Sequence, residues 1–142
     1  MIERSPSPRA QFQKVRLLLL FGLFSLGGIA VLLSTVGAVP TVPDQPWIGN
    51  VCATVSLVAA ATAWFWARPR IPLRRATMSM EEYWREPGTT NAANLALFLL
   101  EGSATLAISG TLLSGFGAAA AVAAMPILGM VALTPESIEQ RV

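Results

Sequence analysis

The chain has 142 residues, of which 54% are hydrophobic and only 13% are charged, and its formal net charge is +2. A soluble domain usually carries about 25% charged residues, so this composition excludes an ordinary soluble fold and indicates an integral membrane protein. There is no histidine and one cysteine, Cys52. An internal disulfide is therefore excluded, the commonest ligand of haem, zinc and copper is missing, and we expect neither a cofactor nor a metal site.

Four apolar stretches predict an all-α membrane protein in which two helical hairpins form a single membrane domain. The predicted spans cover about residues 17–39, 47–67, 92–113 and 118–133. The first has no charge and is long enough for a hydrocarbon core of about 30 Å. The last two are separate spans, because one helix through both would be about twice as long as a bilayer is thick.

The fourth stretch is the shortest, roughly 24 Å at about 1.5 Å per residue, and Pro126 lies in its middle. The turn before it is predicted at Ser114–Gly117. A kinked, slightly buried span is the first interpretation. A re-entrant hairpin is the alternative, and it requires a protein cover because irregular backbone is not tolerated against lipid.

The basic residues predict the orientation of the spans. They are Arg4, Arg9, Lys14 and Arg16 before the first span, Arg68, Arg70, Arg74, Arg75 and Arg85 between the second and third, and Arg141 after the fourth. Basic residues beside spans stay on the cytoplasmic side, so we expect both termini and the loop 68–90 in the cytoplasm, at a bacterial inner membrane or its equivalent. Because these charges flank apolar runs, they favour anionic lipid headgroups as partners and not nucleic acid.

The central loop is predicted to contain a short helix that begins at Ser79, since Ser79 and Glu82 have the spacing of a capping box. Tyr83 and Trp84 share one face of this helix. Two interpretations stay open: the helix lies in the cytoplasmic interface of the membrane, or its aromatic face docks on a partner subunit.

Three further tryptophans, Trp47, Trp64 and Trp66, lie at the edges of the second span. Aromatic side chains at both ends of an apolar run are typical of anchors at the membrane–water interface. Together with Tyr83 and Trp84 they form the predicted set of interface anchors.

Glu101 is the one ionisable side chain deep inside a predicted span, and Asn94, Thr105 and Ser109 extend the same helix face. A carboxyl group near the bilayer midplane is costly, which makes it a functional hypothesis. These four residues form a candidate intramembrane polar site that lines a proton or cation path. The alternative is a hydrogen-bonded seam against another helix.

The sequence contains no nucleotide-binding loop, hydrolase elbow or zinc-protease motif, so we do not expect an enzyme. Small residues are frequent in the third and fourth spans and predict close helix packing. The expected function is a non-catalytic accessory or structural subunit of a larger membrane complex, for example a respiratory or photosynthetic one, with membrane lipids and other membrane subunits as partners. The alternative is a small homo-oligomeric transporter or channel that uses Glu101 as its proton or cation site.

Overall fold

The computed structural model describes residues 6–38, 47–114 and 118–140, and every regular element in these ranges is a helix. The helices are α1 (Pro8–Thr35), α2 (Trp47–Thr62), α3 (Met80–Arg85), α4 (Pro87–Ser114), α5 (Ala118–Ala132) and α6 (Pro135–Glu139). A π-helical turn, Ala63–Ala67, and a 3-10 turn, Arg68–Arg70, continue α2 without a break. The expected all-helical fold is confirmed for these ranges. Arg4, Arg141 and most of the predicted turn, residues 115–117, lie outside them.

Three helices are long and apolar enough to cross a membrane: α1, α2 with its extension to Arg70, and α4. They indicate a membrane protein, as the composition predicts. The predicted fourth span corresponds to α5, which has 15 residues and at about 1.5 Å per residue is shorter than a hydrocarbon core. This helix continues through Pro126, whose side chain is fully buried.

Two helices begin earlier than the apolar pattern predicted. The first span was predicted from about residue 17, but α1 begins at Pro8, because Ser7 accepts a hydrogen bond from the backbone N–H of Ala10 and Pro8 takes a first-turn position. Proline is well suited to that position, where its missing N–H has no partner to lose. In the same way α4 begins at Pro87 and not near residue 92.

The central helix of the bundle is α4, and α1, α2 and α5 all pack against it. Helix α2 runs antiparallel to α4, with Gly49 beside Ser114 and Cys52 beside Gly110. A Cβ atom at Gly110 would lie 2.5 Å from the Cβ of Cys52, so the two backbones approach more closely than any larger residue permits. This is the close packing through small residues that the sequence predicts.

Helices α5 and α1 complete the bundle. Gly129 of α5 lies beside Leu100 of α4, and Ala119 lies beside Gly110, so α5 is also antiparallel to α4. The antiparallel arrangement brings the start of α1 and α4 to the same end as the close of α2 and α5. The described basic residues lie at this end, which we call the basic end.

Candidate functional site

The predicted polar face is present on α4, with Glu101 about midway between Pro87 and Ser114. The Glu101 side chain is half-buried, and its Oε1 accepts a hydrogen bond of 3.0 Å from the hydroxyl of Thr105, one turn further along. Asn94 and Ser109 are half-buried on the same helix. Among the described side chains this is the one hydrogen bond within the predicted set, so the structure joins two of the four residues.

The ion pairs of the described residues all lie at the basic end, and none of them includes Glu101. Arg9 of α1 pairs with two carboxylates of α6, Glu136 at 2.9 Å and Glu139 at 2.6 Å. The buried carboxylate of Glu139 also accepts a hydrogen bond of 2.8 Å from the indole nitrogen of Trp84 in α3. Helices α1, α3 and α6, far apart in sequence, are thereby tied together through one carboxylate.

The exposed carboxylate of Glu136 lies at the N-terminus of α6. The pKa of this carboxyl is held below its usual value, chiefly by a hydrogen bond from its own backbone N–H. The hydroxyl of Thr134 and the guanidinium groups of Arg9 and Arg16 also lower it, and desolvation opposes them with a smaller effect than that of the backbone N–H. Thr134 also caps α6, since its hydroxyl accepts a hydrogen bond from the N–H of Ser137. The anionic form of Glu136 is therefore the one that the fold favours.

Arg16 is a buried cation that caps the C-terminal end of α5. Its Nε donates to the carbonyl of Met130 at 2.9 Å, and its Nη2 donates to the carbonyl of Val131 at 3.0 Å. Its Nη1 donates to the side chain of Gln13 at 3.1 Å. The last carbonyls of a helix lack donors within the helix and carry partial negative charge. A guanidinium group there donates hydrogen bonds to them and also offsets their charge.

Tyr83 and Trp84 were expected to face the membrane interface or a partner subunit, and this was wrong. Both side chains are 1% exposed, because the aromatic face of α3 packs inward on this chain. The ring of Trp84 lies 5.2 Å from that of Phe12 in α1, and the hydroxyl of Tyr83 donates a hydrogen bond of 2.7 Å to the carbonyl of Pro72. The cap at Ser79 that places α3 is confirmed, since its hydroxyl accepts a hydrogen bond from Glu82 N.

The other three predicted anchors lie on the surface. Trp47 is 59% exposed at the start of α2, and Trp66 is 46% exposed at its far end. Trp64 is half-buried. Their role as anchors in the membrane interface stays a prediction.

A pair of buried serines joins α2 to α4. The hydroxyl of Ser56 donates to the carbonyl of Ser103 at 2.8 Å, and the hydroxyl of Ser103 donates to the carbonyl of Ser56 at 2.7 Å. Both side chains are fully shielded. Hydroxyl groups that bond across helices in this way replace the hydrophobic effect, which is absent between helices in lipid.

Sequence reasoning missed Arg16, Glu139 and the serine pair as structural residues. Arg16 was counted as a flanking charge, and neither Glu139 nor the two serines were assigned a contact. Small hydroxyl residues inside apolar spans indicate hydrogen bonds between helices. Their partners cannot be read from the sequence, because they depend on the register between the helices.

Within the described ranges, no three His, Cys, Asp or Glu side chains come close enough to hold a metal ion. Cys52 is a free thiol, half-buried beside Gly110. Cys52 therefore packs against α4.

The fold and its contacts thus define a helical membrane protein built around α4 and tied together by polar contacts at the basic end. Comparison with known proteins adds nothing to this class, since no family model, curated protein or solved structure matches the chain.

Proposed function

We propose that this chain is a non-catalytic accessory subunit of a larger membrane complex, with four spans and with both termini and the basic end in the cytoplasm. The observation that carries the proposal is the use made of the buried polar groups. Ser56, Arg16 and Glu139 all bond to other helices of the same chain. These three side chains carry the kinds of group that a reaction would need, and here they hold the helices together.

The outer surface of α1 supports a role in assembly. In its apolar stretch 17% of the residues are buried, against 50% in α4. Gly22, Gly27 and Gly28 have nothing within 4 Å of the place where a Cβ would stand. Small residues on an open helix face permit a helix of another subunit to approach closely.

The first experiment is extraction from native membranes in a mild detergent, followed by native gel separation and mass spectrometry. We expect the chain to migrate in a stoichiometric hetero-complex. The variant Gly28→Leu places a bulky side chain on the open face of α1 and should release the chain from that complex. Gly102→Leu is the matched control, because Gly102 of α4 is equally uncovered. Recovery of the wild type as a lone small oligomer would overturn the proposal.

The four-span orientation is tested separately by cysteine labelling in a Cys52→Ala background. A membrane-impermeant maleimide applied to intact spheroplasts should label Asp44→Cys and Gly115→Cys. It should label Ser7→Cys and Gln140→Cys only after permeabilisation. If Gln140→Cys is labelled without permeabilisation, α5 enters and leaves on the outer side, and the chain has three spans and a re-entrant helix.

A small homo-oligomeric transporter or channel is the second candidate function, favoured by the place of Glu101 midway along α4 and its bond from Thr105. Proton or monovalent cation flux into liposomes that contain the purified chain is the measurement. Under this candidate Glu101→Gln abolishes flux, and the exposed-site control Glu82→Gln retains it. Absence of flux with the wild type rejects the candidate.

A further inference from the structure

An apolar cleft of about 440 Å³ opens between the last turns of α2 and α5 and the middle of α4. Its walls include Ala61, Trp64 and Phe65 on one side and Met125, Leu128 and Ala132 on the other. The volume falls in the range of about 300–1,000 Å³ that is typical of small-molecule sites. Almost all of the lining is carbon, so the cleft suits an apolar chain and not a polar solute.

The wall on the α2 side is formed by the π-helical turn Ala63–Ala67, to which Trp64 and Phe65 belong. A π-helical turn widens the helix by one residue and changes the direction of the side chains that follow. Such turns are rare in proteins and are frequent at functional sites. This irregularity is independent of the cleft volume and falls at the same place.

A cation stands at the edge of the cleft. The guanidinium carbon of Arg68 lies 4.2 Å from the ring centroid of Trp64, which is itself a lining residue. A second such pair follows two residues along the chain and outside the cleft lining, with the guanidinium carbon of Arg70 at 3.5 Å from the ring centroid of Trp66. Stacking on an aromatic face holds a guanidinium group in place, and its planar N–H fork matches phosphate oxygens.

We propose that this cleft holds one acyl chain of an anionic phospholipid and that the lipid phosphate binds at Arg68. An apolar chain joined directly to an anionic group is the chemistry of a phospholipid. The protein presents the complementary arrangement, a carbon-lined cleft with one stacked arginine, Arg68, at its edge. The site lies at the basic end, and the proposal concerns ligand binding, so it stands apart from the identity of any partner subunit.

The headgroup contact is tested with the delipidated protein in detergent, titrated with dioleoyl-phosphatidylglycerol or dioleoyl-phosphatidylcholine and followed by native mass spectrometry. We expect the wild type to prefer phosphatidylglycerol. Arg68→Gln should weaken phosphatidylglycerol binding by about fivefold, the contribution of one basic residue at an anionic surface, and leave phosphatidylcholine binding unchanged. Arg85→Gln is the control, since it removes the same charge from an exposed position on α3.

The cleft itself is tested by filling it. Ala61→Trp places a ring in the cleft and should lower binding of both lipids, whereas Ala124→Trp adds the same ring at an exposed α5 position that does not line the cleft. Near-ultraviolet circular dichroism checks the fold of each variant, and Leu128→Trp replaces Ala61→Trp if the latter does not fold. Equal affinity of the wild type for both lipids overturns the proposal. So does an equal effect of Arg68→Gln and Arg85→Gln, or unchanged binding in the filled cleft.

Discussion

The indole nitrogen of Trp84 donates a hydrogen bond of 2.8 Å to the carboxylate of Glu139, and the two residues are 55 positions apart in the chain. The same carboxylate oxygen accepts from Nε of Arg9. One buried acceptor therefore joins the short helix α3 to both ends of the chain. Contacts of this kind give the basic end a defined structure, although α3 has only six residues and α6 only five.

We predict that Glu139→Ala destabilises the fold by about 1–3 kcal/mol, because the buried indole N–H of Trp84 loses its acceptor. Glu139→Gln should cost less, since an amide oxygen still accepts that hydrogen bond. Thermal unfolding in detergent measures both. Glu81→Ala is the control: its pair with Arg85 is exposed on both sides and is expected to contribute about 0–1 kcal/mol. Equal losses of stability for Glu139→Ala and Glu81→Ala would show that the buried contact stabilises the fold no more than the exposed pair does.

Arg16→Met is expected to loosen the end of α5, because the carbonyls of Met130 and Val131 lose their donors. The readout is hydrogen–deuterium exchange, which should rise in a peptide that contains the last turn of α5 and change little in α2. Lys14→Met removes a charge from an exposed position two residues earlier on α1. If Lys14→Met and Arg16→Met raise exchange equally, the cap on α5 is not the cause.

The hydroxyls of Ser56 and Ser103 lie 2.9 Å apart, and this contact should appear as a coupling energy in a double-mutant cycle of the two serine-to-alanine variants. Interhelical hydrogen bonds in membrane proteins average about 0.6 kcal/mol and reach about 1.7 kcal/mol, and we expect a value in this range. Thr54→Ala serves as a reference, since the Thr54 hydroxyl bonds only to Asn50 of its own helix. A coupling energy of zero would mean that the two hydroxyls do not stabilise one another.

Two glycines of α4 are expected to respond in opposite ways to alanine. Gly110→Ala should destabilise the protein, because its Cβ would lie 2.5 Å from the Cβ of Cys52 and force α2 away. Gly102→Ala meets nothing within 4 Å and should be neutral or stabilising by up to about 1 kcal/mol, the difference in helix propensity. Unfolding of both variants under identical conditions gives the comparison. A stabilising Gly110→Ala would contradict the close approach of the two helices.

Acid is expected to weaken the contact between α6 and α1. The pKa of Glu136 is held below its ordinary 4.5, chiefly by its own backbone N–H. A carboxyl group with a lowered pKa in the folded state stabilises the fold above its unfolded pKa, and this stabilisation is lost as the pH falls through the folded value. Between neutral pH and about pH 3, the Tm of the wild type should therefore fall further than that of Glu136→Gln. Parallel curves for the two proteins would contradict this.

Much of the helical framework could be predicted from the sequence. Long apolar runs marked α1, α2 and α4, and the spacing of Ser79 and Glu82 marked the start of α3. These features are local: each depends on hydrogen bonds within one segment and on the transfer of that segment from water. Helices α1 and α4 begin before the predicted spans, because their first turns are polar and lie outside the apolar stretches.

The interior contacts could not be predicted in the same way. Trp84 is an aromatic residue in a polar loop, and such a residue faces lipid, a partner or the core according to where α1 and α6 lie. For the candidate polar site, the sequence placed four residues on one helix face. The structure adds one bond, from Thr105 to Glu101.

By itself, then, the sequence determined that the chain is helical and apolar enough for a membrane, because hydrophobicity and helix signals act within each segment. Only the tertiary structure decided which polar groups meet. Arg16 became a cap for α5 and not a free flanking charge, and the stacked Arg68 came to stand at the edge of an apolar cleft. Both outcomes depend on the register and distance between helices, and these follow from side-chain packing across segments far apart in the chain.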